Sequence, residues 1–244
     1  MAKKRLFYLD FVRAIAVVLI LITHFNVPWL PMPTRTAVVV TTTVGGIYIG
    51  DFGVSLFLII SGAALFYVYR AKCDVKKFFF KRFKSIYPMF WIAFIIGFVF
   101  RLAEKTTSIQ GIPKSHILYS VFGMDMLASS SGILTFATVG EWFLGLIIFL
   151  YLCFPLLRWL VLRAPKATAI VSILIYVLLV LFYHGPIPDS CFILFRLPEF
   201  LFGMYFIQYI KKVPPSLGLA TLVVLILNEY FKIPINSSVA TTLL

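Results

Sequence analysis

Apolar residues run along this chain in long blocks, separated by short clusters of basic residues. The blocks show neither the strict alternation of half-buried strands nor the single apolar stripe of a surface helix. They predict seven helical spans, at about 6–25, 51–69, 86–102, 140–162, 167–183, 191–210 and 217–231. Most reach the length that a hydrocarbon core about 30 Å thick requires. Pro28, Pro31 and Pro33 end the first span, Pro88 is placed in the first turn of the third, and Pro155 is expected to kink or thin the fourth. Ser61, Gly62, Ala63 and Ala64 are small enough for close helix packing. The one long connection, 104–140, carries His116, Asp125 and a serine tract, and its apolar middle, 117–122, suits an interface.

Polar residues inside these blocks are few. Asp10, Arg13 and His24 share the first span, and ten uncharged, nearly all apolar residues separate the arginine from the histidine. Eleven helical steps at about 100° close three turns with about 20° left over, so Arg13 and His24 share a stripe, roughly 16 Å apart along the axis. Asp10 falls near that stripe at i,i+3 from Arg13. A plain reading makes Asp10–Arg13 a pair at the membrane edge and His24 a marker of the far interface. Ionisable groups at the centre of a span cost about 2.5–3.5 kcal/mol each on insertion scales, so three on one stripe favour an inward-facing polar site. Arg196 and Glu199 repeat the i,i+3 arrangement in the sixth span and are expected to form a structural pair inside the bundle.

Composition changes the picture in one respect. With 244 residues, 61% hydrophobic and 13% charged, the chain is a polytopic helical membrane protein rather than a soluble domain. Its net charge of +13 would suggest nucleic acid in a soluble protein, but here it follows the loops. With the N-terminus inside, sixteen of the 22 lysines and arginines fall on inner segments and five on outer ones, which predicts a cytoplasmic N-terminus. The densest cluster is Arg70, Lys72, Lys76, Lys77, Lys81, Arg82 and Lys84, read as an inner loop. Asp10 and Arg13 interrupt the first block and no small-residue cleavage site follows, so it is read as a retained span. Cys73, Cys153 and Cys191 have no metal or redox spacing, and no metal site is expected. This topology puts Arg13 and Arg82 towards the cytoplasm and His24 and Glu141 at one outer level.

The residues also carry a resemblance. Leu9 to Val17 with His24 resembles the signature of acyltransferase family 3, integral membrane enzymes that O-acetylate bacterial surface polysaccharides and peptidoglycan. Gly53-Val54-Ser55-Leu56-Phe57 through Ser61-Gly62 is similar to that family's Gly-Val-Asp-Leu-Phe-Phe-Val-Ile-Ser-Gly segment. Lys81-Arg82-Phe83-Lys84-Ser85-Ile86-Tyr87-Pro88 resembles its Arg-Arg-Phe-x-Arg-Ile-Tyr-Pro block. Trp142-Phe143-Leu144 with Tyr151 and Phe154-Pro155, and Arg196-Leu197-Pro198-Glu199-Phe200 through Gly203, follow in the family's order. Three positions depart from it. Ser85 stands in place of the block's second arginine, leaving Lys84 or Lys81 to substitute; Ser55 replaces an aspartate; and Ile147 replaces a glutamate that many members carry, for which Glu141 is the nearest substitute.

The resemblance implies one membrane domain over 1–244, with fewer spans than the family's members, as in a shortened member or a fragment. It implies transfer of an acyl group, usually acetyl, from cytoplasmic acetyl-CoA, a co-substrate rather than a bound cofactor, to a hydroxyl of an extracytoplasmic glycan at a bacterial cytoplasmic membrane. Arg13, Arg82 and Lys84 would then hold CoA phosphates, although Arg82 also suits a plain orientation charge. His24 would accept the hydroxyl proton or relay the acyl group, and Glu141 would fix its tautomer unless it is simply an interfacial carboxylate. His116 and His184 read as loop or interfacial residues. The alternative is a non-enzymatic transporter or flippase of a lipid-linked glycan, against which the absence of a visible inverted repeat weighs.

Overall fold

The computed structural model describes residues 6–26, 43–103, 111–231 and 237–243. Six helices are long and apolar enough to cross a membrane: α1 (Phe7–Asn26), α2 (Ile49–Tyr69), α3 (Val75–Ala103), α6 (Trp142–Arg163), α7 (Pro165–Phe182) and α8, which runs from Ile193 to Tyr205 and continues as a π turn to Ile210. Two short helices, α4 (Ile117–Val121) and α5 (Asp125–Ser130), lie between α3 and α6; α9 (Pro215–Phe231) and α10 (Ser237–Leu243) follow α8. The expected seventh span is α9, apolar but only 17 residues long. At 1.5 Å per residue that is about 25 Å, short of a typical hydrocarbon core.

A two-residue hairpin, β1 (Thr43–Val44) and β2 (Ile47–Tyr48), interrupts the otherwise helical fold. Its turn is Gly45-Gly46, both at positive φ, the conformation that a tight two-residue hairpin demands. The Glu229 carboxylate of α9 accepts from the Gly45 N–H at 2.7 Å, tying α9 to this turn.

The core is built on α2 and α8. A Cβ on Gly62 would overlap the Phe200 carbonyl, and one on Gly203 would overlap the Ile59 carbonyl, so the two backbones touch. Without side chains between them the helices gain close van der Waals contact, the main attraction available inside a lipid phase. The four small residues therefore split: Gly62 and Ala63 are buried, while Ser61 and Ala64 line a cavity.

The third span begins earlier than the hydropathy pattern indicates. Asp74 accepts from the Lys77 N–H at 3.1 Å, an N-cap that starts α3 eleven residues before the expected 86. Lys76, Lys77, Lys81, Arg82 and Lys84 are thus helical rather than looped, and Pro88 lies in the helix interior. Phe78, on the first turn of α3, stacks on Phe154 of α6 with ring centroids 5.2 Å apart, and Phe154 meets Phe200 of α8 edge-on. Arg82 follows Phe78 by one turn and so shares its inward face.

The helix ends define two ends of the bundle. Where α1 and α3 begin and α2 and α6 end, the described residues include thirteen lysines and arginines; the opposite end has Arg101, Lys114 and the buried Arg196. At the basic end Arg158 of α6 donates to the Tyr69 carbonyl at 2.7 Å and to the Arg70 carbonyl at 2.6 Å, closing the terminus of α2. At the other end Arg101 of α3 donates to the Ala137 carbonyl. The segment before α6 also reaches into the bundle. Tyr87 and Trp91, midway along α3, donate to the Phe122 and Val121 carbonyls at 3.3 and 3.0 Å, satisfying backbone groups that lipid cannot. The basic residues expected at Lys3, Lys4, Arg5, Arg35, Lys105 and Lys232, and the prolines after α1, lie outside the described residues.

Candidate active site

Three helical stripes surround a cavity of about 430 Å³. From α3 come Arg82, Ile86 and Phe90, spaced at i,i+4 on the ridge between buried Phe78 and Phe94. From α2 come Phe57, Ser61, Ala64 and Leu65; from α6 and the residues before it, Gly140, Glu141, Leu144, Ile147 and Tyr151. Arg13 of α1 completes the basic end. Glu141 and Tyr151 are ten residues apart, so the cavity extends for about 15 Å along the axis. Arg13, Arg82 and Tyr151 mark one end and Glu141 the other; the walls between are largely apolar.

The two guanidinium groups differ in what holds them. Arg13 donates to Asp10 at 2.9 Å, an i,i+3 pair that stays partly exposed. Arg82 has no carboxylate partner among the described residues and lies over the Tyr151 ring, 5.9 Å from its centroid. Its Nε is buried without a hydrogen-bond acceptor. A guanidinium placed this way, in an apolar cavity, favours an anionic ligand. Lys84 is exposed and does not line the cavity, because two residues beyond Arg82 is about 200° around the helix.

Glu141 is buried. Its Oε1 accepts from the Thr138 and Val139 N–H groups at 2.8 and 3.1 Å, closing the turn before α6, and its Oε2 has no partner. The expected hydrogen bond to His24 is not made. His24 is exposed in the last turn of α1, outside the cavity lining, although it sits on the Arg13 stripe at the Glu141 end. The structure thus brings Arg13, Arg82 and Glu141 to one cavity and leaves His24 beyond its rim.

The Arg196–Glu199 pair forms at 2.9 Å and belongs to a larger network than the spacing indicates. Arg196, with no exposed surface, also binds Asp51 at 3.2 Å, Ser55 at 3.1 Å and the Ser190 carbonyl at 3.0 Å. Ser55 and Thr242 donate to the same Glu199 oxygen, at 2.9 and 2.8 Å. Asp51 and Ser55 stand one turn apart on α2, the only sign of this role in the sequence. Tyr151 and Asp125 are the other additions; Asp125 is buried and accepts from Ser120, with its Oδ2 unpartnered. Cys73 and Cys191 do not suit an acyl-carrying thiolate, since burial pushes both thiols up from their ordinary range.

A family model described as an acyltransferase domain, that of acyltransferase family 3, matches residues 6–228. The chain belongs to acyltransferase family 3. No curated protein and no solved structure matches it. Membership makes the chain an acyltransferase, and its six apolar helices supply the membrane setting. The matched region includes every helix that lines the cavity.

Proposed function

We propose that this acyltransferase moves an acyl group, acetyl in the simplest case, from cytoplasmic acyl-CoA to a hydroxyl of an extracytoplasmic glycan at a bacterial cytoplasmic membrane. The observation that carries the reading is the unpaired Arg82 facing the same cavity as Arg13. The surplus of basic residues at that end supports a cytoplasmic location for it. CoA matches the cavity in order: phosphates at Arg13 and Arg82, the extended pantetheine arm along the apolar walls, and the thioester towards Glu141.

At the outer end the acceptor hydroxyl attacks the thioester carbonyl. A C–O bond forms, the C–S bond breaks, and the hydroxyl proton reaches the departing CoA thiolate by way of His24, which the acceptor meets at the rim of the cavity. His24 suits this task because an imidazole nitrogen can both accept and return a proton, and the residue stands at the Glu141 end of the stripe that carries Arg13. Glu141, with one oxygen held by two backbone N–H groups, presents the other as an acceptor for the incoming hydroxyl.

The test is CoA release from acetyl-CoA by the purified protein. His24→Ala is expected to lose at least about a hundredfold in turnover while still binding CoA, the range general base catalysis supplies. A loss below tenfold, or no acetyl-CoA consumption by the unsubstituted protein, would overturn the reading and favour a transport role.

A further inference from the structure

A second pocket, of about 220 Å³, lies directly beyond the cavity. Asp125, Met126 and Ser129 of α5 form one wall; Thr135, Thr138 and Trp142 contribute to the other. Gly140 and Glu141 line both this pocket and the arginine cavity, so the two spaces meet at that dipeptide. Two carboxylates face it, Asp125 and Glu141, 4% and 3% exposed. Each has one oxygen engaged, by the Ser120 hydroxyl and by the Thr138 and Val139 amides, and each leaves its other oxygen without a partner.

A carboxylate oxygen buried without a partner is costly, and either a cation or a hydrogen-bond donor relieves it. Two ligand classes meet that need here, a metal cation and a polyhydroxyl compound. Among the described residues no group of three His, Cys, Asp or Glu side chains assembles to hold a metal ion, so the pair is too sparse for a cation cage. Vicinal hydroxyls match it better: each can donate to one carboxylate, the Ser129 and Thr138 hydroxyls, which already donate to the Met126 and Phe136 carbonyls, can still accept, and the Trp142 indole offers an apolar face to a ring.

From this juxtaposition we infer that the Asp125–Glu141 pocket binds a sugar ring of the acceptor through its hydroxyls. Acyl transfer then takes place across Gly140–Glu141, where acceptor pocket and donor cavity meet. The inference rests on the acyl-transfer reading above but assigns a site that the reading leaves open. Asp125 acts here as a binding group and not as a catalytic one.

The experiment separates the two ideas by measuring binding without turnover. In a Ser129→Cys variant the maleimide labelling rate is followed against the unsubstituted protein, with methyl glycosides of glucose, galactose, rhamnose and N-acetylglucosamine as probes. A glycoside at ten times its Kd should slow labelling about tenfold, since protection follows 1 + [L]/Kd. The protection should weaken at least as much again when Asp125→Asn is added, whereas adding Ser131→Ala, on the exposed turn after α5, should leave it intact. No protection by any of the four glycosides, protection by Ca²⁺ or Mg²⁺ instead, or protection indifferent to Asp125→Asn would overturn the assignment. Glycoside protection in a protein that does not consume acetyl-CoA would leave the pocket standing and sink the donor reading alone.

Discussion

At the scale of single residues, the fold turns on Arg196. One guanidinium, with no exposed surface, stands against two carboxylates, the buried Glu199 and the partly exposed Asp51, with Ser55 between them. Removing the cation would leave Glu199 buried, and Asp51 largely so, without this counter-charge. Arg196→Met should therefore destabilise by about 3–5 kcal/mol, read as a lower thermal unfolding midpoint in detergent. An unchanged midpoint would mean that the network is solvated. The pair itself is legible in the sequence because i,i+3 charges stand out in an apolar block. Asp51 and Ser55 are not, because their partner lies 145 and 141 residues further on. Glu141 teaches the converse. Its level in the bundle follows from the span order, but the N–H groups of Thr138 and Val139, three and two residues away, take its carboxylate before any distant imidazole can. Local partners need little ordering of the chain, which hydropathy does not register.

At the scale of elements, two interactions set the geometry of the cavity: backbone contact between α2 and α8, and the Asp74 cap that extends α3. Gly203→Ala should destabilise by about 1–3 kcal/mol, because the added methyl must displace the Ile59 carbonyl. Gly218→Ala, where a Cβ meets nothing within 4 Å in α9, should be neutral or stabilising by up to about 1 kcal/mol. Thermal midpoints of the two variants check the contrast in sign, and equal effects would deny the close approach. The length of α3 is obscured in the pattern by its own lysines. Five basic residues look like a loop to a hydropathy scale, yet charge does not prevent a helix that a capping aspartate begins. The Gly45–Gly46 hairpin was legible in principle, since paired glycines between β-branched and aromatic residues signal a tight turn.

At the scale of the whole molecule, the spans were legible because hydrocarbon thickness imposes a length that few other constraints override. The charge asymmetry supports the orientation proposed above, and that orientation is testable. With the basic end in the cytoplasm, Ser131→Cys should react with an impermeant maleimide on intact cells, and Lys72→Cys only after permeabilisation. Both positions are exposed, so accessibility does not confuse the comparison. Cys73 is a poorer reporter, because burial raises its thiol pKa and keeps the reactive thiolate scarce at neutral pH. The reverse labelling pattern would exchange the donor and acceptor ends of the cavity.

The claim on which the rest depends is that the arginine end of the cavity holds the phosphates of acyl-CoA. The most direct measurement is the KM for acetyl-CoA of Arg82→Gln beside that of Arg163→Gln, an exposed arginine at the end of α6 that lines none of the pockets described above. Arg158 would be a poor control, since it closes the end of α2. Loss of a charge-assisted hydrogen bond worth about 1.5–3 kcal/mol should raise the Arg82→Gln value roughly 10- to 100-fold. Arg163→Gln should stay within about twofold, as expected for a screened surface charge. Equal shifts in both variants, or none in Arg82→Gln, would contradict the assignment.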